Sequence, residues 1–321
     1  MEALLKLLAD GEFHAGDDLG ATLQISRAAI WKQIQKLQQT GLDIQSVKGK
    51  GYRLAQPLEL LDADSIRSRM VPQAAGLMSR LEIMSQVVST NDVATAWAQQ
   101  GATSGAVCLA EQQTAGRGRR GRTWVSPFAT NLYVSCVWTF FQGAAALEGL
   151  SLATGVAVVK ALESLGVSGA GLKWPNDILL NEGKVAGILL EMTGDPAGRC
   201  QVVLGVGVNH RMPANAAADI DQAWSRVEDV CPGVSRNQLA AAVLSQLLLM
   251  LQTFEHSGFA SFREQWEALD RFCGREVVIK TGADDIPGIA DGVDATGGLR
   301  LKTPDGIQIM KGGELSLRLS P

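Results

Sequence analysis

The sequence predicts an α+β chain in three units: an N-terminal winged helix-turn-helix, a larger central domain mixing helices and strands, and a small C-terminal β-barrel. Three observations carry this. Residues 1–54 hold three short helical patterns followed by two extended pieces joined through Lys48-Gly-Lys-Gly51. From Arg80 to Leu269, β-rich apolar runs alternate with helix-length segments, and from Cys273 onward short strands are separated by glycine turns. The expected boundaries are 1–56, 62–270 and 273–321, and 321 residues at 46% hydrophobic content are enough to bury cores for two or three domains.

In the first unit, Leu4, Leu5 and Leu8 recur at helical spacing within Met1–Ala9, and Asp17–Leu23 is a second short helix. Ser26 is placed to cap a third, Arg27–Gln39, with Ile30, Ile34 and Leu37 on one stripe and Gly41 as its stop. Leu42–Val47 and Gly51–Leu54 form the wing. Residues 1–23 carry a net charge of -4 and residues 24–53 a net charge of +5. That polarity fits a recognition helix and wing facing phosphates, with Ser26, Arg27, Lys32, Lys36, Lys48 and Lys50 as DNA-binding candidates. A protein-docking three-helix module is the competing reading, and the charge polarity favours DNA. Trp31 falls off the Ile30 stripe, either wedged into the core or turned to DNA.

Gln56–Leu61 is the expected linker, followed by a helix over Asp62–Met70 and a strand over Arg80–Val88. Ser89-Thr90-Asn91 precedes a helix over Asp92–Gln100. It is either a plain helix cap or a cluster of neutral hydrogen-bonding groups for a ligand. Asn131–Phe140 is β-rich and Leu147–Leu165 helical. A strand at Ile178–Leu180 turns through Asn181–Lys184 into Val185–Glu191. A two-residue turn at Glu182-Gly183 sets Asp177, Leu179 and Asn181 on one face with Lys184, Ala186 and Ile188, whereas a three-residue turn sets Asp177 on the other. Val202–Asn209 is a buried strand, residues 214–220 and 227–234 are loops, and Asn237–Phe254 and Ser261–Leu269 are helices. The tail strands are 276–280, 288–290, 299–302, 307–311 and 315–319.

A net charge of -4 excludes uniform attraction to nucleic acid, so any DNA contact is local. Five scattered cysteines suit a reducing compartment, and three scattered histidines argue against a zinc site. Met1-Glu-Ala-Leu-Leu-Lys6 lacks a signal-peptide pattern. Leu239–Phe254, interrupted by Ser245 and Gln246, falls short of a membrane span. The expectation is a cytoplasmic protein without a membrane partner.

Thr114–Trp124 departs most from that acidic background. Arg117, Arg119, Arg120 and Arg122 alternate with Gly116, Gly118 and Gly121. Glycine permits close backbone approach, and arginine presents a donor fork matched to carboxylate and phosphate, so the loop is expected to close on an anion. Gly116–Gly121 also spells the G-x-G-x-x-G dinucleotide fingerprint, but Arg122-Thr-Trp-Val-Ser-Pro127 follows where that motif needs a helix.

Gly116-Arg-Gly-Arg-Arg-Gly-Arg122 with Trp124 resembles the signature loop of biotin–protein ligases. Ser89-Thr-Asn91, Lys173-Trp-Pro-Asn-Asp177 and Gly183-Lys-Val-Ala-Gly-Ile188 match in the expected order. With the N-terminal unit, the resemblance spans essentially the whole chain and is close to the bifunctional ligase/biotin-operon repressors of bacteria. It implies a class II synthetase-like central mixed sheet and an SH3-like barrel. It implies ATP and Mg²⁺ as cofactors, and biotin as the substrate joined to a lysine of the biotin carboxyl carrier protein of acetyl-CoA carboxylase. It further implies the operator DNA of biotin synthesis genes as a partner, and a homodimer favoured by biotinoyl-5′-AMP.

By the same resemblance, Ser89, Thr90, Asn91, Gln113, Arg117, Gly118, Arg119 and Lys184 bind biotin. Arg119, Arg122, Trp124, Asn176, Lys184 and Asn209 bind ATP or the adenylate, and Lys184, Arg119 and Asp177 act in catalysis. Asp177 either holds Mg²⁺ or orients Lys184. His210 departs from the family pattern. A lipoate–protein ligase and a biotin-sensing repressor without catalysis are the alternatives.

Overall fold

The computed structural model describes the chain except residues 196, 215, 217, 219, 282–284, 313–314 and 320–321. The head forms as its sequence dictates. Helices α1 (Glu2–Leu8), α2 (Gly16–Leu23) and α3 (Arg27–Gln39) precede an antiparallel hairpin of β1 (Ile44–Val47) and β2 (Gly51–Leu54). Ser26 Oγ accepts from the Ala29 amide at 3.2 Å, capping α3. The α2–α3 turn depends on Gly20, where a Cβ would stand 2.8 Å from the Ile25 carbonyl oxygen.

Leu4, Leu5, Leu8, Leu19, Ile30, Ile34, Leu37, Ile44 and Leu54 form the head's core, which Phe128 and Ala129 of the central domain complete. The linker is clamped as well. The Arg236 guanidinium, 1% exposed, pairs with Glu111 at 2.7 Å and donates to the Glu59 carbonyl at 2.6 Å. It also donates to the Asn131 carbonyl, and the other Glu111 oxygen accepts from the Leu61 amide at 2.7 Å. A buried ion pair holds its place only when every remaining donor and acceptor is satisfied in this way.

The central sheet runs β3-β4-β5-β9-β8-β7-β6. Its strands are β3 (Arg80–Met84), β4 (Ala106–Ala110), β5 (Leu132–Phe140), β6 (Ala170–Lys173), β7 (Asp177–Leu180), β8 (Gly183–Gly194) and β9 (Cys200–Val208). Only the β3–β4 pairing within this sheet is parallel, so it is mixed. β3 ends four residues before the expected Val88.

Side chains alternate across the sheet. Along β5, Val134, Cys136 and Trp138 join the main core, built with α4 (Ala63–Arg69), α5 (Pro72–Leu77), α7 (Leu150–Ser164), α8 (Arg236–Ser257) and α9 (Ala260–Leu269). Val137 joins a smaller cluster with Trp97 and Ala98 of α6 (Thr90–Gln99) on the opposite face. That second face carries the cavity described below. The segment Ala144–Ser164 and the 22-residue α8 are long and apolar enough to cross a membrane by length and composition, contrary to the shorter apolar run read from sequence. The same apolar residues are largely buried in the protein core.

The tail is a five-stranded antiparallel sheet, β13-β12-β11-β10-β14, comprising β10 (Glu276–Lys280), β11 (Asp285–Val293), β12 (Leu299–Thr303), β13 (Gly306–Met310) and β14 (Ser316–Leu319). Trp174, 2% exposed, donates its indole N–H to the Gly297 carbonyl at 3.1 Å and ties the tail to the central domain.

Candidate active site

A cavity of about 460 Å³ opens on the α6 face of the sheet. One end is neutral and dense in hydrogen bonds. Ser89 caps α6, its Oγ accepting from the Asn91 amide at 3.3 Å. Thr90 donates through its amide and hydroxyl to Gln113 Oε1 at 2.9 and 3.1 Å, and Gln113 Nε2 donates to Ser126 Oγ at 3.0 Å. Ser135 Oγ lies 2.6 Å from Asn91 Oδ1, while Asn91 Nδ2 donates to Glu191 at 2.7 Å. Ser89 thus serves as a helix cap, and the whole Ser89–Asn91 triplet also lines the cavity.

The floor is built from glycines. A Cβ at Gly205 would stand 2.3 Å from Asn91 Oδ1, and one at Gly207 2.4 Å from the Trp124 ring. Trp124 therefore lies flat against β9, which only a bare backbone permits, with its indole nitrogen buried and unpartnered.

The Gly/Arg loop folds as a small hairpin. The Trp124 amide donates to the Gly116 carbonyl at 2.8 Å and the Gly118 amide to the Arg122 carbonyl at 2.7 Å. Arg120 and Gly121 hold positive φ at its tip. Only a single 3-10 turn, Arg119–Gly121, forms here and the next element is a strand, not the α-helix that the dinucleotide motif needs. Arg117 is drawn to two carboxylates, Asp92 at 2.6 Å and Glu191 at 3.2 Å. Arg119 donates to Asn176 Oδ1 at 3.0 Å and to the Leu315 carbonyl at 3.4 Å. Gly118, Arg119 and Arg122 all line the cavity.

At the cavity's centre Lys184 Nζ sits 2.6 Å from Asp177 Oδ1, the two side chains 15% and 16% exposed, and 5.4 Å from the Trp124 ring centroid. The turn has two residues, the reading that sets Asp177 and Lys184 on one face, but it lies one residue earlier than expected. The turn is Asn181-Glu182, with Leu180 opposite Gly183 and Leu179 opposite Lys184, and a β-bulge then sets Ile178 opposite Ala186 and Asp177 opposite Gly187. Asp177 and Leu179 alternate onto the face that Lys184 occupies, and the extra residue in β8 brings Gly187 rather than Ala186 opposite Asp177.

Asn209 stands apart from the main cavity. It is 3% exposed, donates to the Lys184 and Ser225 carbonyls at 3.3 and 3.2 Å, and borders a small adjoining cleft with Trp124 and Trp224. His210 is a core residue: fully buried, it bonds the Val234 carbonyl at 2.7 Å, and burial pushes its imidazole below the ordinary 6.5. Trp31 is not in the core but 53% exposed on α3. Arg27, Lys32, Lys36, Lys48 and Lys50 are exposed on α3 and the wing, whereas the Ser26 hydroxyl is engaged in capping.

Sequence reasoning missed Glu191 and Asp92, because their role depends on strand and helix meeting across the cavity. It also missed Lys173, whose ammonium burial pushes below the ordinary 10.5, and Arg318 of the tail, both of which line the cavity. Among the described residues, no group of three or more His, Cys, Asp or Glu side chains is placed to hold a metal.

A DNA-binding-type head joined to a mixed-sheet domain, with a cavity neutral at one end and cationic at the other, defines a two-function protein built around one small-molecule site. Residues 83–209 match the biotin/lipoate A/B protein ligase family, 1–53 a helix-turn-helix domain, and 272–318 the biotin protein ligase C-terminal domain. The chain is 42% identical over 315 residues to the bifunctional ligase/repressor BirA of Salmonella typhimurium, covering 98% of this chain and 96% of that protein. It is 37% identical over 223 residues to the biotin–[acetyl-CoA-carboxylase] ligase of Paracoccus denitrificans, covering 67% and 91%. Its fold matches the biotin protein ligase of Aquifex aeolicus in complex with biotin and ATP, with a TM-score of 0.65 and 29% identity over 76% of this chain and all of that one. The chain belongs to the biotin–protein ligase family, in its bifunctional ligase/repressor branch.

Proposed function

We propose that the chain activates biotin with ATP, transfers it to a lysine of the biotin carboxyl carrier protein of acetyl-CoA carboxylase, and represses biotin synthesis genes through its winged helix. The Lys184–Asp177 pair, set beneath Trp124 between a neutral and a cationic wall, carries this reading. A ureido ring is uncharged and needs donors and acceptors, which Ser89, Thr90, Asn91 and Gln113 supply. A carboxylate and a triphosphate repel each other and need fixed cations between them, which Lys184, Arg119 and Arg122 supply.

A biotin carboxylate oxygen attacks the α-phosphorus, the bond to the β-phosphate oxygen breaks, and diphosphate leaves. Lys184 bridges the approaching anions and stabilises charge on the phosphoryl oxygens, while Asp177 holds its ammonium in place. The Trp124 face takes the adenine, with Asn176 and the neighbouring Asn209 cleft beside it. The backbone and arginines of Arg117–Arg119 cover the mixed anhydride against water until the acceptor amine arrives. That amine attacks the acyl carbon, the bond to AMP breaks, and amide, AMP and a proton are released.

Mg²⁺ keeps most of its shell as water and phosphate oxygen, so one carboxylate suits it. Asp177 and Asp221 are the cavity's candidates, and the ion would neutralise triphosphate charge. The loop ordered by the adenylate also favours a homodimer, aligning two heads on a palindromic operator. Use of ATP and DNA suits a cytoplasmic location.

Incubation with Mg-ATP, biotin and the apo carrier domain, followed by intact-mass analysis, is expected to add one biotinoyl group at a single lysine. Lipoyl transfer instead of biotinyl transfer supports the lipoate-ligase alternative, and biotin binding without transfer supports the sensing repressor. Sedimentation showing no ligand-dependent dimer removes the dimer proposal.

A further inference from the structure

Trp31 is 53% exposed, while the other six tryptophans are buried or half-buried. The core stripe of α3 is complete without it in Ile30, Ile34 and Leu37. At 100° per residue Arg27, Trp31 and Gln38 share one flank of α3. That flank turns to the wing: Gln38 Nε2 donates to the Ile44 carbonyl at 3.1 Å, and a Cβ on Gly16 would stand 3.5 Å from the Tyr52 ring and 3.7 Å from the Arg27 side chain. The indole is thus an exposed apolar surface on the wing-side flank of the recognition helix, inside a segment of net charge +5. An anionic partner suits that surroundings, whereas a second copy of the same basic surface is repelled.

We infer that Trp31 reads sequence in the DNA major groove by apolar contact with the C5-methyl of a thymine. This rests on the DNA-binding reading above. The lysines and arginines around it serve phosphates, which fix position and carry no sequence information. An indole offers a broad apolar face, and among the four bases only thymine presents a methyl group to the major groove.

The test uses the full chain with biotin and Mg-ATP. Duplexes are selected from a random pool, and each thymine of the preferred duplex is then replaced by deoxyuridine, which removes only the methyl. The wild type is expected to lose about 4-fold in affinity at one thymine of each half-site, the worth of one buried methyl-sized contact. Trp31→Ala is expected to lose nothing further at that position. Trp31→Leu, which keeps an apolar contact, is scanned in parallel in case the alanine variant binds too weakly, and is expected to keep a reduced dependence. Thermal melts check that both variants retain the folded head. Wild-type binding indifferent to every thymine methyl, or unchanged dependence at the same thymine in both variants, overturns the inference. Failure to enrich any duplex removes the DNA-binding reading itself, and the inference falls with it.

Discussion

Replacing Gly207 with alanine separates the two ends of the cavity. The new Cβ would stand 2.4, 2.5 and 2.8 Å from three atoms of the Trp124 indole, where carbon contacts settle at about 3.5–4.0 Å. The ring edge must retreat by roughly 1 Å, which misplaces the proposed adenine platform and the Lys184 ammonium against it. A misplacement of that size costs up to ~100-fold in reaction rate, so the KM for ATP is expected to rise about 10- to 100-fold or kcat to fall correspondingly. Overpacking costs about 1–3 kcal/mol of stability, short of unfolding a domain of this size. Gly205→Ala strikes the other end, its Cβ 2.3 Å from Asn91 Oδ1, and is expected to weaken biotin with ATP little changed. Diphosphate release is followed with ATP varied at saturating biotin and the reverse, with calorimetry for biotin alone. Gly207→Ala that leaves ATP kinetics intact, or weakens biotin as much as ATP, refutes the division of the cavity.

Arg119→Gly is expected to form the adenylate and lose it early, labelling bystander lysines; a mutant that makes no adenylate places Arg119 in the chemistry instead. Burial pushes the Asp270 carboxyl up to about 6, above its ordinary 3.8, so the folded state holds its proton more tightly than the unfolded chain. Stability from this group is present below about pH 4 and lost as pH rises through about 6. Asp270→Asn is therefore expected to stabilise by about 1–3 kcal/mol at pH 7 and by nothing near pH 4, read from denaturant midpoints at both values. Lys50→Ala is expected to weaken all duplexes alike and to lower the slope of log K against log salt by about 1, measured by fluorescence anisotropy. An unchanged slope takes Lys50 out of phosphate contact.

Much of this was legible in the sequence because it is local. The bounds of α3 follow from Ser26 and the Ile30–Ile34–Leu37 stripe, and the strand–helix alternation gives the mixed domain. Much of each cavity wall comes from a short contiguous motif, Ser89–Asn91 on the neutral side and Arg117–Arg122 on the cationic side, so those residue types show in one stretch of chain. What escaped depends on distant segments meeting. Phe128 in the head's core, Arg236 on Glu111, and Glu191 holding both Asn91 and Arg117 have no local signature. The bulge after Lys184 is invisible to strand periodicity, which assumes an unbroken register, yet it decides that Gly187 rather than Ala186 lies opposite Asp177.

In the proposed reaction Lys184 and the cationic wall join biotin to the α-phosphate of ATP. The most direct measurement mixes the protein with Mg-ATP labelled at the α-phosphate, with biotin, with lipoate and with neither, and separates the products by thin-layer chromatography. A labelled biotinoyl-AMP product is expected that requires biotin, does not form with lipoate, and forms ~10²–10³-fold more slowly in Lys184→Ala. A wild-type protein that binds biotin yet gives no adduct, or an alanine variant as fast as wild type, contradicts it.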